Sequence, residues 1–506
     1  MNTTLTTRSS TPPASQNAVE VCLTWGWAVL VALLGSWTCF NAVAGLNWAL
    51  WTLAATAGLL VIRRRARGLD RHISISLILA CVLAGASVLT ASAHAEALIF
   101  LGTAALCGYA VLALTASPHS LGPAALVLAP LTLARRVFAE SASRIAQVFD
   151  LIRMPDAVPV VRGGAMATLI AAILFLLLSA ADPTLTSWRE AAWAALASWT
   201  FVARDVFFVL LATVLLGAYG LAWGADEREP MTSSGRARFS DFERLQVLGA
   251  ALALYLLFFA VELSNLLGAG TLHLAPGETY AEATHRGFGE MIAAAALCAF
   301  AILLLDRHAL RCRRESLVRS LAWGVIAASL IVVASAYGRV RFYEAAYGYT
   351  EQRLCVQFIC GAVACGLLLL AMELRSGIDL PRLIRRTGLV AIGCIAIFSY
   401  WNPSGWIANA NVDRFARTGK LDVVYLGRLA RVSPDAVPAL IRALPKLAPA
   451  DARYLRGVLV RTSTVRSIFG PERSAGELWW YEWSVRRAAA YDALRTAGLL
   501  PARPPE

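Results

Sequence analysis

The ionisable side chains of this chain gather at the ends of its apolar stretches, with one carboxylate inside such a stretch. Glu262 sits within the apolar run 245–267. A charge there is costly, so Glu262 is either a functional group with a partner or an ion-paired packing element, Arg286 and Arg341 being the candidate partners. Glu282, Arg286 and Glu290 recur at i, i+4 and i+8 on one helical face, next to Tyr280, and Thr279 with Glu282 has the spacing of a capping box. Their plainer reading is a solvated helix entrance. Between Tyr337 and Arg353, Arg341, Tyr343, Tyr347 and Arg353 interleave aromatic with cationic groups, as an interfacial belt or a substrate platform would. Asp182 and Asn402, at the ends of apolar stretches, extend the set of candidates. A carboxylate such as Asp182, Glu262 or Glu290 could serve as general base on a lipid or glycan. Alternatively, the polar rim would bind an anionic partner.

Standard catalytic signatures are missing: no GxxxxGK[ST], HExxH, GxSxG or CxxC occurs. The six histidines (His72, His94, His119, His273, His285 and His308) lie in or near loops, never paired at metal-ligand spacing. Neither a metal nor another cofactor is expected. The ten cysteines lie in or beside apolar stretches and read as small packing residues. Trp479-Trp480-Tyr481-Glu482-Trp483 reads as an interfacial anchor or as the core of a small domain.

Hydrophobic residues make up 58% of the chain and charged residues 16%, against about a quarter charged in a soluble domain. A chain so composed is solvated mainly by lipid. Apolar stretches run 22–42, 46–62, 73–92, 97–116, 164–181, 202–223, 245–267, 289–305, 320–337, 355–372 and 384–401. Each approaches the roughly 20 residues that span a bilayer, and each must be helical because lipid offers no partner to an unpaired amide. The expected fold class is therefore all-α, a polytopic transmembrane helix bundle of about 11 spans with a small C-terminal helical domain.

Twenty-four arginines fall at Arg8 and in the alternate gaps Arg63–Arg71, Arg135–Arg162, Arg228–Arg244, Arg307–Arg319 and Arg375–Arg386. Only Arg189, Arg204, Arg286, Arg339, Arg341 and Arg353 fall in the others. By the positive-inside rule the N-terminus is cytoplasmic and the C-terminus extracytoplasmic. The segment 121–138, short and broken by Pro123 and Pro130, is read as interfacial; as a span it would reverse everything downstream.

The expected divisions are a disordered cytoplasmic N-terminus (1–20), four spans (21–116), a cytoplasmic amphipathic segment (117–163), a seven-span core (164–401) and an extracytoplasmic basic helical domain (402–506). That last region carries 16 basic and 9 acidic residues. Ser433-Pro434-Asp435 reads as a helix start: a capping hydroxyl, proline at the first position and an acid in the first turn. No strand signal is found there.

The chain resembles a group of uncharacterised bacterial polytopic membrane proteins, the domain-of-unknown-function family numbered four-one-seven-three, close to four-one-five-three. The matching residues are Ala180-Ala181-Asp182-Pro183, Thr279-Tyr280-Ala281-Glu282, Arg286-Gly287-Phe288, Glu290, Arg341, Tyr343, Tyr347-Gly348, Thr350 and Arg353. After the last span follow Asn402-Pro403, Ile407-Ala408, Asn411, Arg414, Leu421-Asp422, Tyr425-Leu426 and Ser433 to Pro438. The chain departs from the pattern by extra residues between Leu429 and Ser433 and by His285 where arginine is expected. The resemblance implies a bacterial inner-membrane protein and lends no activity. Three functions compete: an envelope binding or scaffold protein, a transporter or channel, and a lipid- or glycan-modifying enzyme. Expected partners are the lipid bilayer and an anionic headgroup, cell-wall polymer or envelope protein, with no nucleic acid. The scarcity of charge away from span ends weighs against a transport path, and the short first outer gap at Ala44–Leu46 weighs against a membrane glycosyltransferase.

Overall fold

The computed structural model describes residues 14–66, 68, 70–115, 129–151, 200–224, 239–269, 288–307, 315–461, 464–466, 472–474 and 478–500. Its helices are α1 (Ala14–Thr38), α2 (Leu46–Ala66), α3 (Arg71–Gly85), α4 (Ala93–Thr115), α5 (Ala129–Leu151), α6 (Thr200–Gly224), α7 (Asp241–Ala269) and α8 (Phe288–Arg307). Then come α9 (Glu315–Tyr347), α10 (Glu351–Ser376), α11 (Leu380–Trp401), α12 (Pro403–Thr418), α13 (Val423–Val432), α14 (Val437–Ala443), α15 (Pro449–Arg461) and α16 (Val485–Thr496). Among the described residues nine helices are long and apolar enough to cross a membrane, and the apolar part of α8, Met291–Asp306, is shorter. Ten of the eleven expected stretches thus fall on helices; 164–181 lies outside the described residues. The expectation of a strandless tail is corrected by a two-stranded antiparallel ribbon, β1 (Thr464–Arg466) with β2 (Glu472–Ser474). Three residues per strand are too few to leave a period-2 signature in the sequence.

Apolar packing falls into linked groups. Val31, Ile62, Leu77, Leu114, Val137 and Tyr219 join α1–α6, while Leu248, Met291, Val325, Val332, Leu367 and Leu370 join α7–α10. Helix α11 connects them by packing on α4 and α10. A further core brings Ala95 of α4, Leu354 of α10 and Phe398 of α11 against Ile407, Leu426, Val437, Leu440, Leu455 and Leu494 of the C-terminal segment. That segment sits over one end of the bundle, hereafter the tail end.

Side-chain contacts set the running direction of the helices. Arg204 at the start of α6 donates to Ser36 O at 3.1 Å, near the end of α1, and Arg63 at the end of α2 donates to Ala222 O at 3.3 Å, near the end of α6. Helix α6 therefore runs with α2, away from the tail end. Helix α5 packs at the end opposite the tail: Arg144 pairs with Glu140 at 2.8 Å and with Glu20, and Ser141 donates to Thr213 O at 2.6 Å.

Candidate functional site

Helix α10 begins at the tail end with a buried carboxylate. Thr350 caps it, its hydroxyl accepting from Arg353 N at 3.3 Å, and Glu351 follows in the first turn, where the helix dipole favours negative charge. Three hydroxyls converge on Glu351 Oε1: Ser92 at 3.1 Å, Ser433 at 3.0 Å and Ser404. His94 Nδ1 lies 2.6 Å from the other oxygen, Oε2. A carboxylate only accepts, so Nδ1 carries the hydrogen, and the imidazole remains 44% exposed. The Glu351 amide donates to Tyr425 Oη at 3.0 Å, and burial pushes the Tyr425 phenol up to about 12. Four separate stretches of chain meet at this one carboxyl group.

Two further nodes tie the C-terminal segment to the bundle. Asp435 accepts from Ala91 N at 2.9 Å and Thr90 Oγ1 at 3.2 Å, just ahead of α4, and from Arg486 Nη1 at 3.4 Å. Burial raises its carboxyl above the ordinary range, against the opposing pull of Arg486 and these donors. Arg486 also donates to Tyr400 O at 2.9 Å, near the end of α11. The buried Arg487 donates to Glu482 O at 2.6 Å, Ala44 O at 3.2 Å and Glu96 Oε1 at 3.3 Å. Burial draws its guanidinium below its usual value. Glu482 in turn accepts from Val43 N at 2.9 Å. Backbone groups that helix ends leave without intrahelical partners are thus satisfied by a plate of tail residues.

The candidates around 341–353 assemble beside this network. Asn411 grips the α9–α10 turn, accepting from Tyr349 N at 2.9 Å and donating to Tyr349 O at 2.8 Å. Gly348 makes room: its φ is +87°, and a Cβ there would lie 2.5 Å from Asn411 Oδ1. Arg414 donates to Ala345 O and Ala346 O, capping the C-terminus of α9. The Arg353 guanidinium stacks 4.1 Å over the buried Tyr343 ring, and that ring lies 4.7 Å from the half-exposed Tyr347. Arg341 pairs with the buried Glu344 at 3.0 Å. Asn402, in the left-handed region at φ 68°, caps α12 by accepting from Gly405 N at 2.9 Å.

The other candidates are not brought into this picture. Asp182, Tyr280, Glu282 and Arg286 lie outside the described residues; Glu262 and Glu290 fall on α7 and α8, with their side chains outside the described set. Sequence reasoning missed Glu351, His94, Ser92, Ser404, Asp435 and Arg487 as site residues. A signal existed in Thr90-Ala-Ser92-Ala-His94-Ala-Glu96, polar residues alternating with alanine just ahead of an apolar span. Ser433 corrects an expectation: it makes no side-chain cap, and Pro434–Ala436 is a 3-10 turn before α14. The hydroxyl is spent on Glu351 instead, since a hydrogen bond to a buried charged acceptor is stronger than one between neutral groups at a helix end.

Chemically, a carboxylate-held histidine is the orienting half of an acid–base pair. The three serines, however, bond the carboxylate, and among the described residues no hydroxyl is bonded to the imidazole. The arrangement is an internally bonded polar knot whose carboxylate is buried and whose imidazole reaches solvent. No curated protein and no solved structure matches the chain. The family model for a domain of unknown function, DUF4153, matches residues 75–443. That span takes in α4, α10–α14 and the Glu351 knot, and it begins well before the residues that carried the resemblance in sequence. With most of its length so matched, the chain belongs to the DUF4153 family.

Proposed function

We propose that this multi-pass membrane protein is an inner-membrane scaffold of the bacterial envelope, its N-terminus cytoplasmic and its tail end extracytoplasmic. The tail plate would bind an anionic partner, a phospholipid headgroup or cell-wall polymer. The arginine bias of the alternate gaps supports the orientation. One observation carries the functional reading: the buried charges Glu351, Asp435 and Arg487 at the tail end are occupied by internal partners, whereas the plate's basic side chains, Arg417, Arg428, Arg431, Arg442 and Lys446, stay exposed. Such a surface attracts polyanions over a Debye length and loses them to salt.

The test uses the full chain in nanodiscs of zwitterionic lipid, titrated with polyglycerol phosphate at rising ionic strength. Binding should weaken with salt and drop at least about tenfold when Arg428, Arg431 and Arg442 are changed to glutamate. Equal binding by the variant would reject the plate as the binding surface. Repeating the titration in anionic nanodiscs separates the sources, because headgroups that occupy the plate would compete with the polymer.

His94 favours a second reading, an enzyme acting on lipid or glycan with that imidazole as general base. His94→Gln with unchanged abundance but a lost cellular phenotype would support it; a phenotype that tracks abundance would not.

A further inference from the structure

The aromatic run near the C-terminus plays no part in the polar knot. We propose that Trp479, Trp480 and Trp483 form a foot resting in the phospholipid interface of the membrane that the protein's own helices cross. The three indoles are 60%, 68% and 46% exposed, so they are not the core of the tail. Their height is fixed by hydrogen bonds to the backbone of the α1–α2 connection. Leu46 N donates to Trp483 O at 3.1 Å, Val43 N donates to Glu482 Oε1 at 2.9 Å, and a Cβ on Gly45 would lie 2.7 Å from Trp483 O. The foot therefore stands where two apolar helices stop, at headgroup level.

Trp37, 66% exposed, lies near the end of α1, and Trp401, 42% exposed, ends α11, so the foot continues an aromatic rim at that end of the bundle. Indoles suit this position because the ring is apolar while its N–H can reach a headgroup or water. Glu482 Oε2 also accepts from Trp479 N at 2.9 Å, closing the turn, so the rings are displayed from a backbone ordered before lipid arrives. An extended aqueous face would leave three neighbouring indoles uncovered, which soluble surfaces avoid.

The inference rests on the membrane reading but is independent of the anionic partner. The full chain is placed in nanodiscs containing a phospholipid with a photoactivatable diazirine high on its acyl chain. After irradiation, labelled peptides are mapped by mass spectrometry. Label is expected on 479–483 to the same order as on the peptides bearing Trp37 and Trp401. The triple serine variant should lose that label while keeping the wild-type thermal midpoint. Label on Trp37 and Trp401 with none on 479–483 would overturn the foot, whether water, a second copy or another protein covers it. Absence of label at all three places would instead sink the membrane reading itself.

Discussion

Helix α10 carries a buried glutamate at each end, and the two are held in opposite ways. Glu351 and Glu373 are separated by roughly 33 Å at 1.5 Å per helical residue, close to the ~30 Å of a hydrocarbon core. Glu351, with the helix dipole in its favour, is held by three hydroxyls and one imidazole drawn from α4, α12 and the turn before α14. Glu373 sits near the C-terminus, where the dipole opposes it, and is held by cations: Arg382 Nε at 2.8 Å and Arg386 Nη1 at 3.0 Å. Both arginines come from the next helix, and both remain partly exposed, 36% and 45%. The first carboxylate organises distant parts of the chain; the second clamps one hairpin. A buried acceptor shared by many donors integrates a fold, whereas a cation pair at a rim does not.

The comparison can be broken most directly at its first member. Glu351→Leu leaves three hydroxyls and an imidazole without their acceptor, which should cost on the order of 3–5 kcal/mol. The expected readouts are lower abundance and protease cleavage within 402–461 of reconstituted protein; a tail as resistant as wild type would show that the knot integrates nothing. Asn411→Ala removes two backbone bonds from one turn and should cost about 1–2 kcal/mol, read as a lower thermal midpoint. Glu373→Gln should cost no more than about 1 kcal/mol, because the arginines it frees are already partly solvated. Its tail should stay docked, and a loss matching that of Glu351→Leu would erase the distinction between the two ends.

The smallest expected effect concerns pH. The raised Asp435 carboxyl binds its proton more tightly in the folded than in the unfolded state, so its contribution is fully present below the ordinary carboxylate value of about 4. That contribution is lost as pH rises through the raised folded value. The thermal midpoint of the wild type should therefore fall over that interval, and Asp435→Asn should lack that part of the slope. An identical slope in the variant would assign the dependence to other groups.

Much of the bundle was legible in advance, since a stretch of apolar residues as long as a bilayer is thick has one way to satisfy its amides. The α9–α10 turn was also partly legible: Arg341, Tyr343, Tyr347, Arg353, Asn411 and Arg414 were all candidates, and the turn brings them together. The Glu351 knot was not. Ser92, His94, Ser404 and Ser433 are separated from Glu351 by 50 or more positions, and no local period connects them. Ser433 misled because a serine before proline serves equally as a helix cap or a buried donor, and only the neighbour across the interface selects.

The sequence by itself determined that the chain is a bundle of membrane-length helices, because hydrophobicity and backbone hydrogen bonding act within each segment. It also determined the alternation of basic and non-basic gaps. Which hydroxyls meet which carboxylate, and that the C-terminal segment closes one end of the bundle, was decided only by the tertiary structure. Those choices depend on which helix ends become neighbours, and a buried polar group takes whatever partner that neighbourhood supplies.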